Sequence, residues 1–270
     1  MRRYARRIKY LFWKTNGYFG RRITLEIPQK VTVLITYYSP SRMEHIDPQI
    51  RNILKCQFVD KIIVSNHNPE IQIEDMVKIR DERLVFLNQK TQRGCGYRWI
   101  IANEINPEYL IVVDDDILLF PYQLRTLFEN LIKEPEIPHG ISGMLHLDDG
   151  EFEFHEKENM QVDYLCETYA VSRQNLHRYL ELESFVTKDD SLSKMIESSA
   201  DFMLISQTGS QNPKIHNVGR LFRCPTFNEP GVAVHKAPGF DANMVEVSRA
   251  LNNLIGLDRS VSSRKGTLHA

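Results

Sequence analysis

The chain has 270 residues, which is enough for one large α/β domain, and its 42% hydrophobic content supports a buried core. It contains no apolar run long enough to span a membrane and no secretory signal pattern, so we expect neither a membrane-spanning helix nor export. The four cysteines are widely separated and form no Cys-x-x-Cys pair. They therefore predict neither a disulfide scaffold nor a zinc site.

Charge is unevenly distributed, although the formal net charge is only −1. Residues 1–22 contain eight Arg and Lys and no acid. In a helix Ile8, Leu11 and Phe12 would share one face, a pattern typical of a segment on an anionic membrane surface. Interfacial aromatics would be Trp13, Tyr18 and Phe19. A disordered basic leader or a nucleic-acid-binding arm would have a similar composition, and both remain open.

Beyond this segment, four strands and three helices are predicted up to residue 133. The strands are 31–36, 61–65, 84–87 and 109–113, and the helices are 48–56, 99–104 and 121–133. Strand–helix–strand order is typical of a parallel α/β sheet. The later part is more mixed, with strands predicted at 140–145, 151–155 and 160–165 and helices at 174–182, 190–205 and up to about 254.

The central predicted strand runs directly into Asp114, Asp115 and Asp116. Its five apolar residues predict a strand buried on both faces, and ligands bind beyond the carboxyl ends of such strands. Three adjacent carboxylates repel one another unless they share a cation, and hard oxygen ligands suit Mg²⁺ or Mn²⁺. One aspartate also fits a cap for the helix that starts near Pro121.

Several segments together resemble the GT-A glycosyltransferases, and among them the exostosin-like family of nucleotide-sugar transferases. The IVVDDDIL segment is similar to that family's DXD motif. Weaker similarities lie at Thr36-Tyr37 with Arg42, at KIIVSNHN (61–68), at HGISGMLH (139–146) and at ADFMLIS (200–206). The resemblance implies a single GT-A domain over 29–257, with a Rossmann-like, mostly parallel half-sheet and a smaller mixed half on the acceptor side. Residues 1–28 would precede it, and 258–270 would be a disordered tail.

The resemblance also implies roles for individual residues. The donor-binding residues would be Thr36, Arg42, Asn68, Arg93, Arg98, Asp114 and Asp115. The Mn²⁺ or Mg²⁺ ligands would be Asp116, Asp114 and His235, and the catalytic residues Asp201 and Asp115. Asp201 would lie beneath the reacting sugar. From the residues alone, Asp201 fits equally well as a helix N-terminal charge, and His235 as a surface or packing residue.

Two departures from the family pattern bear on retaining chemistry. Ala200 stands where the family has the first acid of its Glu-Asp pair, and Met244 stands at or near a family arginine. The missing positive charge could come from Arg220, Lys236 or Arg249. A further acidic pair, Asp189-Asp190, is interpreted as a helix cap rather than as a site.

These features predict a metal-dependent hexosyl- or N-acetylhexosaminyltransferase. It would move a sugar from a UDP-sugar to a glycan or glycolipid acceptor, with retention as the family resemblance implies. We expect a cytoplasmic protein, peripheral on the cytoplasmic face of an anionic membrane, with no nucleic-acid partner. The alternatives are a non-catalytic nucleotide-sugar-binding relative and a haloacid-dehalogenase-like phosphatase, which also places a DxD after an apolar strand.

Overall fold

The computed structural model describes residues 2–186 and 188–255. The predicted tail 258–270 lies outside the described residues. The helices are α1 (Arg2–Phe19), α2 (Pro40–Met43), α3 (Ile46–Leu54), α4 (Tyr97–Ile105), α5 (Pro121–Lys133), α6 (Arg173–Val186), α7 (Asp190–Met195), α8 (Asp201–Ser206) and α9 (Phe240–Ile255). The strands are β1 (Val31–Tyr37), β2 (Val59–Asn66), β3 (Leu84–Asn88), β4 (Tyr109–Asp114), β5 (His139–His146), β6 (Phe152–Glu156), β7 (Met160–Gln161), β8 (Tyr164–Ser172) and β9 (Lys214–Ile215).

Within the described ranges, nine strands form one sheet. Their order is β3-β2-β1-β4-β8-β5-β9-β7, and β6 pairs with β5. The four strands from β3 to β4 are parallel, whereas β8 is antiparallel to both of its neighbours. The predicted architecture of a parallel half-sheet joined to a mixed half is therefore found.

The central strand β4 is buried on both faces, as its apolar run predicts. Ile111 and Val113 pack on one side with α3 and α5, and Leu110 and Val112 pack on the other side with α4 and α6. The side chains of β4 thus fill two close-packed cores, one on each face of the sheet, and this packing fixes the position of the strand. The acids that follow it are consequently held in a fixed position.

The prediction of one strand at 160–165 is wrong. This stretch contains only the short β7, then a break at Val162 and Asp163, and then the start of β8. The backbone N–H of Val162 donates to the carbonyl of Pro213, and that of Asp163 donates to the carbonyl of Met144. Most of β8 was not predicted, yet it lies between β4 and β5 in the middle of the sheet.

The helix predicted over 190–205 is interrupted. A π-helical turn at Ile196–Ala200 separates α7 from α8. Gly94 packs so closely on the backbone of Glu197 that a Cβ there would collide with its carbonyl oxygen, and a Cβ at Gly96 would make a tight 3.0 Å contact with the same residue. These two glycines therefore allow a close backbone contact between the segment before α4 and the π-helical turn. The cap interpretation fits, since the Asp189 carboxylate accepts hydrogen bonds from two backbone N–H groups of α7.

The N-terminal helix α1 packs on α3 and on the loop that follows β4. Trp13 is fully buried, and its Nε1 donates to the carbonyl of Leu119 over 3.0 Å. Trp13 is therefore a core residue and not the interfacial aromatic that its sequence context predicts. None of the described helices is long and apolar enough to cross a membrane.

Candidate functional site

The carboxyl ends of three parallel strands meet at one edge of the sheet. Thr36 at the end of β1 lies opposite both Ser65 of β2 and Asp114 of β4. The next pair in register is Tyr37 with Asn66. Since open α/β sheets bind ligands beyond these strand ends, the aspartates occupy the position where a ligand is expected.

Two buried arginines contact the aspartates. Arg42 of α2 places Nη1 2.5 Å from Asp115 and Nη2 3.0 Å from Asp116. Arg98 of α4 places Nη1 2.5 Å from Asp114. Both arginine side chains are less than a tenth exposed. These pairs therefore lie in a low-dielectric region, where an unpaired charge is costly.

The three carboxyls remain incompletely neutralised. Burial raises the pKa of Asp114 to about 7, of Asp115 to about 6 and of Asp116 to about 7. Arg42 and Arg98 lower these pKa values, whereas repulsion among the carboxylates raises them again. A cation placed beside the cluster would favour the ionised form of all three groups.

The donor set fits a metal ion that is shared with a ligand. Among the described residues, no group of three or more His, Cys, Asp and Glu is arranged to hold a metal on its own. Magnesium, however, is commonly bound through one or two carboxylates together with substrate phosphates. Asp114 and Asp116 keep 28% and 14% of their side-chain surface exposed and offer hard oxygen ligands. Their metal-binding roles stay predictions.

His235 lies at the margin of this region. It belongs to the 3₁₀ turn Val234–Lys236 and is exposed, and its Nε2 is 2.7 Å from Oδ1 of Asn228. Partial burial lowers its pKa, and the charges of Arg42 and Glu167 act on it as well. The imidazole is thus within electrostatic range of the cluster, and its role as a metal ligand stays a prediction.

The remaining predicted donor-binding residues lie along the same edge. Asn68 follows β2, and its Nδ2 donates to the carbonyl of Tyr38 over 3.2 Å, which ties the loops after β1 and β2 together. Arg93 is exposed, with its guanidinium 4.5 Å from the ring centre of Tyr97. Thr36 is partly exposed at the strand end. This placement is compatible with binding a nucleotide, which stays a prediction for these residues.

Asp201 lies behind Arg98 rather than in the open. Its Oδ2 accepts from Nε of Arg98 over 2.6 Å and from Nε1 of Trp99 over 2.7 Å. The residue is 1% exposed, and Oδ1 makes no hydrogen bond with the described residues. In this arrangement the Asp201 carboxylate positions Arg98, which in turn contacts Asp114. Its predicted catalytic role stays a prediction.

The two departures from the exostosin-like pattern are both core positions. Ala200 is 1% exposed and Met244 is 5% exposed, and each packs in the apolar cluster beneath α8 and α9. The three candidate replacements for the missing cation are exposed: Arg220, Lys236 and Arg249. These three therefore do not provide a buried cation at the site.

A different arginine, Arg223, which the sequence did not single out, lies near the aspartates, is partly buried and is paired with two glutamates. Nη2 of Arg223 is 2.7 Å from Glu167 and 2.7 Å from Glu156, and its Nε also contacts Glu167. The charge of Arg223 lowers the pKa of Asp116, and that of Glu167 raises it. Arg223 and Glu167 thus form a second charged layer beside the aspartates.

Backbone geometry fixes this second layer. The N–H of Cys224 donates to the carbonyl of Asp116, and the N–H of Leu118 donates to the carbonyl of Phe222, each over 2.8 Å. Glu167 has a φ of 64°, an uncommon conformation for a residue with a side chain. In the sequence, the only sign of this layer is the presence of acidic residues and arginine around Glu167 and Arg223, in two stretches for which no helix or strand is predicted.

The arrangement can bind an anion through a cation. Carboxylates, backed by arginines and open at one edge, can hold a divalent metal, and the metal can then bind a phosphate group. The partly buried guanidinium of Arg223, paired with Glu156 and Glu167, lies beside these carboxylates. Such a site suits phosphate-containing ligands.

Comparison with known proteins gives the class of fold. No family model matches the chain, and no curated protein matches its sequence. The crystal structure of GalNAc-T7 with UDP, GalNAc and Mn²⁺ is similar, with a TM-score of 0.55 and 12% identity over 82% of this chain. This chain spans 48% of that chain, about half its length. The fold is thus of the GT-A type, as predicted.

A second similar structure is CMP:2-keto-3-deoxy-manno-octonic acid synthetase complexed with CTP. The TM-score is 0.47 and the identity 12%, over 72% of this chain and 91% of that chain. At this TM-score we draw no conclusion about this chain from the similarity. Membership of the exostosin-like family stays a prediction, because no sequence match supports it.

Proposed function

We propose that the protein is a metal-dependent glycosyltransferase that moves a sugar from a UDP-sugar donor to a glycan or glycolipid acceptor, with retention at the anomeric carbon. The observation that carries the proposal is the position of Asp114, Asp115 and Asp116. They follow the central parallel strand directly and are bracketed by Arg42 and Arg98. This is where an open α/β sheet binds its ligand.

The fold supports the same proposal. GalNAc-T7, whose structure was solved with UDP, GalNAc and Mn²⁺, has a similar fold. At 12% identity the likeness shows the fold alone, so the donor and the metal come to this chain only as part of the proposal. The chemical support for a metal and a phosphate-containing donor comes from the aspartate cluster and not from the fold.

Departure of a nucleoside diphosphate places new negative charge near the β-phosphate. A bound Mn²⁺ or Mg²⁺, held by Asp116 and Asp114 with His235 as a further ligand, would act as a Lewis acid on that diphosphate. Arg42 and Arg98 hold the aspartates in position, so little rearrangement is needed when the donor binds. Arg223 places a guanidinium nearby, held in position by Glu156 and Glu167.

The acceptor hydroxyl must lose a proton during transfer. In our proposal Asp115 lies near the donor, and its raised pKa, to about 6, brings the group closer to the range of an effective base. Asp201 contributes by fixing Arg98, as the 2.6 Å ion pair indicates. In a retaining reaction the leaving phosphate can accept the proton instead, and no carboxylate base is then required.

One specific observation favours a second candidate, a relative that binds nucleotide sugar without transferring it. Asp201 is closed off beneath Arg98, and Ala200 replaces an acid of the family pattern. Such a protein would bind UDP with metal but would not turn over a donor. The two candidates therefore differ in turnover and agree in binding.

The test is UDP release from a panel of UDP-sugars, measured with Mn²⁺ and with chelator. We expect metal-dependent release from at least one donor, lost in Asp116→Asn and kept in the matched control Asp148→Asn, whose aspartate is exposed. Proton NMR of the freed or transferred sugar gives the anomeric outcome. Binding without release would favour the non-catalytic candidate, and turnover of a phosphomonoester without any sugar donor would favour the phosphatase alternative.

A further inference from the structure

The helix α1 presents an apolar face to solvent. The exposed fractions are 69% for Ile8, 63% for Leu11, 65% for Phe12 and 86% for Phe19. These positions follow one another at spacings of three, one and seven residues, which places them on one side of a helix. Isolated exposed apolar residues are common, but a continuous stripe of large ones marks an interaction surface.

The opposite side of the same helix packs on the protein at three described positions. Trp13 is buried, Tyr10 contacts the ring of His45, and Gly17 packs tightly on α3. The hydroxyl of Tyr10 is 2.9 Å from Nδ1 of His45. Because the inward side is anchored in this way, the helix cannot turn its apolar stripe inward without breaking buried contacts.

Charge indicates what covers this face. Residues 1–22 contain eight Arg and Lys and no acid, whereas the rest of the chain has more acids than bases. A second copy of the same face would bring two strongly basic segments together, which repel each other. An anionic lipid surface offers both an apolar interior for the stripe and negative charge for the basic residues.

We propose that the outward face of α1, formed by Ile8, Leu11, Phe12 and Phe19, docks on the surface of an anionic membrane. The helix lies in the interfacial plane, with this stripe in the outer acyl region and the basic residues Lys14, Arg21 and Arg22 close to the headgroups. The domain is then held at the membrane in one orientation, since α1 is a rigid part of its surface.

The inward side of α1 connects this helix to the candidate site. Nε1 of Trp13 contacts the carbonyl of Leu119, in the loop that follows the aspartates, and Trp13 packs with Cys224, which pairs with Asp116. If the proposed function holds, this connection places the aspartate cluster near the lipid surface and indicates an acceptor carried on a membrane lipid. The docking claim itself does not depend on the proposed function.

The experiment is co-sedimentation of the full chain with vesicles of phosphatidylcholine alone and of phosphatidylcholine mixed with phosphatidylglycerol. We expect binding to the anionic vesicles that weakens as salt rises, and roughly tenfold or greater preference over the neutral ones. The triple variant Ile8→Ser/Leu11→Ser/Phe19→Ser should lose roughly tenfold or more in affinity, because its apolar stripe is gone. These side chains are exposed, so the variant should fold as the parent does.

Control variants remove exposed groups elsewhere on the protein. Val85→Ser/Leu147→Ser/Phe185→Ser removes apolar surface away from α1 and should bind as the parent does. Lys14→Gln/Arg21→Gln/Arg22→Gln should weaken binding and flatten its salt dependence, whereas Lys61→Gln/Lys90→Gln/Lys133→Gln should not. Circular dichroism confirms that each variant is folded.

Three outcomes would overturn the proposal. The parent may fail to bind anionic vesicles at low salt, or the stripe variant may bind as well as its control. Light scattering may instead show a dimer of the parent that the stripe variant abolishes, which would make a second copy the occupant. Asp116→Ala, which would abolish the proposed function, should leave vesicle binding unchanged, so the two claims fail separately.

Discussion

Arg98 on α4 and Asp201 at the start of α8 are 103 positions apart and form a buried ion pair of 2.6 Å. Through Nη1, Arg98 also contacts Asp114 at the end of β4. The interrupted helix behind the sheet is therefore linked to the aspartate cluster by one side chain. Stability and site geometry should both depend on it.

Asp201→Asn should lower the free energy of unfolding by about 3 kcal/mol or more, because it leaves the buried guanidinium of Arg98 without its full counter-charge. Urea unfolding measures the change. The control is Glu129→Gln, which removes a solvent-exposed pair with Arg125 and should cost less than about 1 kcal/mol. Equal stability of Asp201→Asn and the parent would show that the pair contributes little.

Arg223→Lys should reduce the rate of donor turnover by roughly tenfold to a hundredfold, since one ammonium cannot replace a guanidinium that spans Glu156 and Glu167. The measurement is steady-state UDP release from the best donor. Arg220→Lys is the control, because Arg220 is exposed and lies over the ring of Phe222. Identical rates for both variants would remove Arg223 from the proposed mechanism.

Trp13→Ala should destabilise the protein by about 3–5 kcal/mol, the usual cost of removing a large buried aromatic side chain. The neighbouring variant Phe12→Ala, which truncates a side chain that is 65% exposed, should cost less than about 1 kcal/mol. Thermal and urea unfolding compare the two. If both variants were equally stable, α1 would not be part of the core.

Two buried histidines should contribute a loss of stability as the pH drops below about 6.5, because they resist protonation in the folded state. The raised pKa values of Asp114, Asp115 and Asp116 contribute with the opposite sign over the same pH range, so the contribution of the histidines is measured by comparing variants. Burial lowers the pKa of His139 and lowers that of His216 to about 4. Nδ1 of His139 is 2.9 Å from Nε2 of His216, so charging one disfavours charging the other. Histidines of the unfolded chain titrate near pH ~6.5, so the unfolded state binds more protons between pH ~4 and pH ~6.5.

The check is the free energy of unfolding at pH ~7.5 and at pH ~5, in the parent and in two variants. Relative to the parent, His216→Asn should be more stable at pH ~5 than at pH ~7.5, because a destabilising contribution at low pH is removed, whereas His177→Gln, at an exposed histidine, should follow the parent at both pH values. The same pH dependence in His216→Asn and in the parent would show that the histidine pair does not contribute.

The sequence was sufficient to predict the fold class and the central strand. The apolar run 109–113 and the acids that follow it are adjacent in the chain, so the carboxyl-end position of Asp114 required no knowledge of tertiary contacts. The parallel direction of β1 to β4 agrees with the predicted strand–helix–strand order, whereas the order of the strands was not predicted. The GT-A resemblance added the class of fold.

The second charged layer could not be predicted in the same way. Glu167 lies in β8, whose residues 164–172 combine polar and apolar side chains without clear alternation, and Arg223 lies in a stretch with no named helix or strand. Their contact exists only because β8 pairs with β4 and because 222–224 pairs with 116–118. Such long-range pairings depend on the whole sheet.

The helix α1 shows a similar limit. Its periodicity predicts an amphipathic helix, but large aromatic side chains occur on both of its sides. The choice of the inward side depends on Trp13 reaching the carbonyl of Leu119 and on Gly17 allowing close approach to α3. Neither partner is near in sequence.

The measurement that tests the central claim most directly is calorimetric titration of UDP into the purified protein, with Mn²⁺ and with chelator. We expect binding with Mn²⁺ that is weakened at least about tenfold by chelator and by Asp116→Ala, because the carboxylate and the diphosphate share the metal. Asp148→Ala, at an exposed aspartate, should bind as the parent does. Absence of UDP binding, or binding that ignores both metal and Asp116, would contradict the assignment of the aspartate cluster as a nucleotide-sugar site.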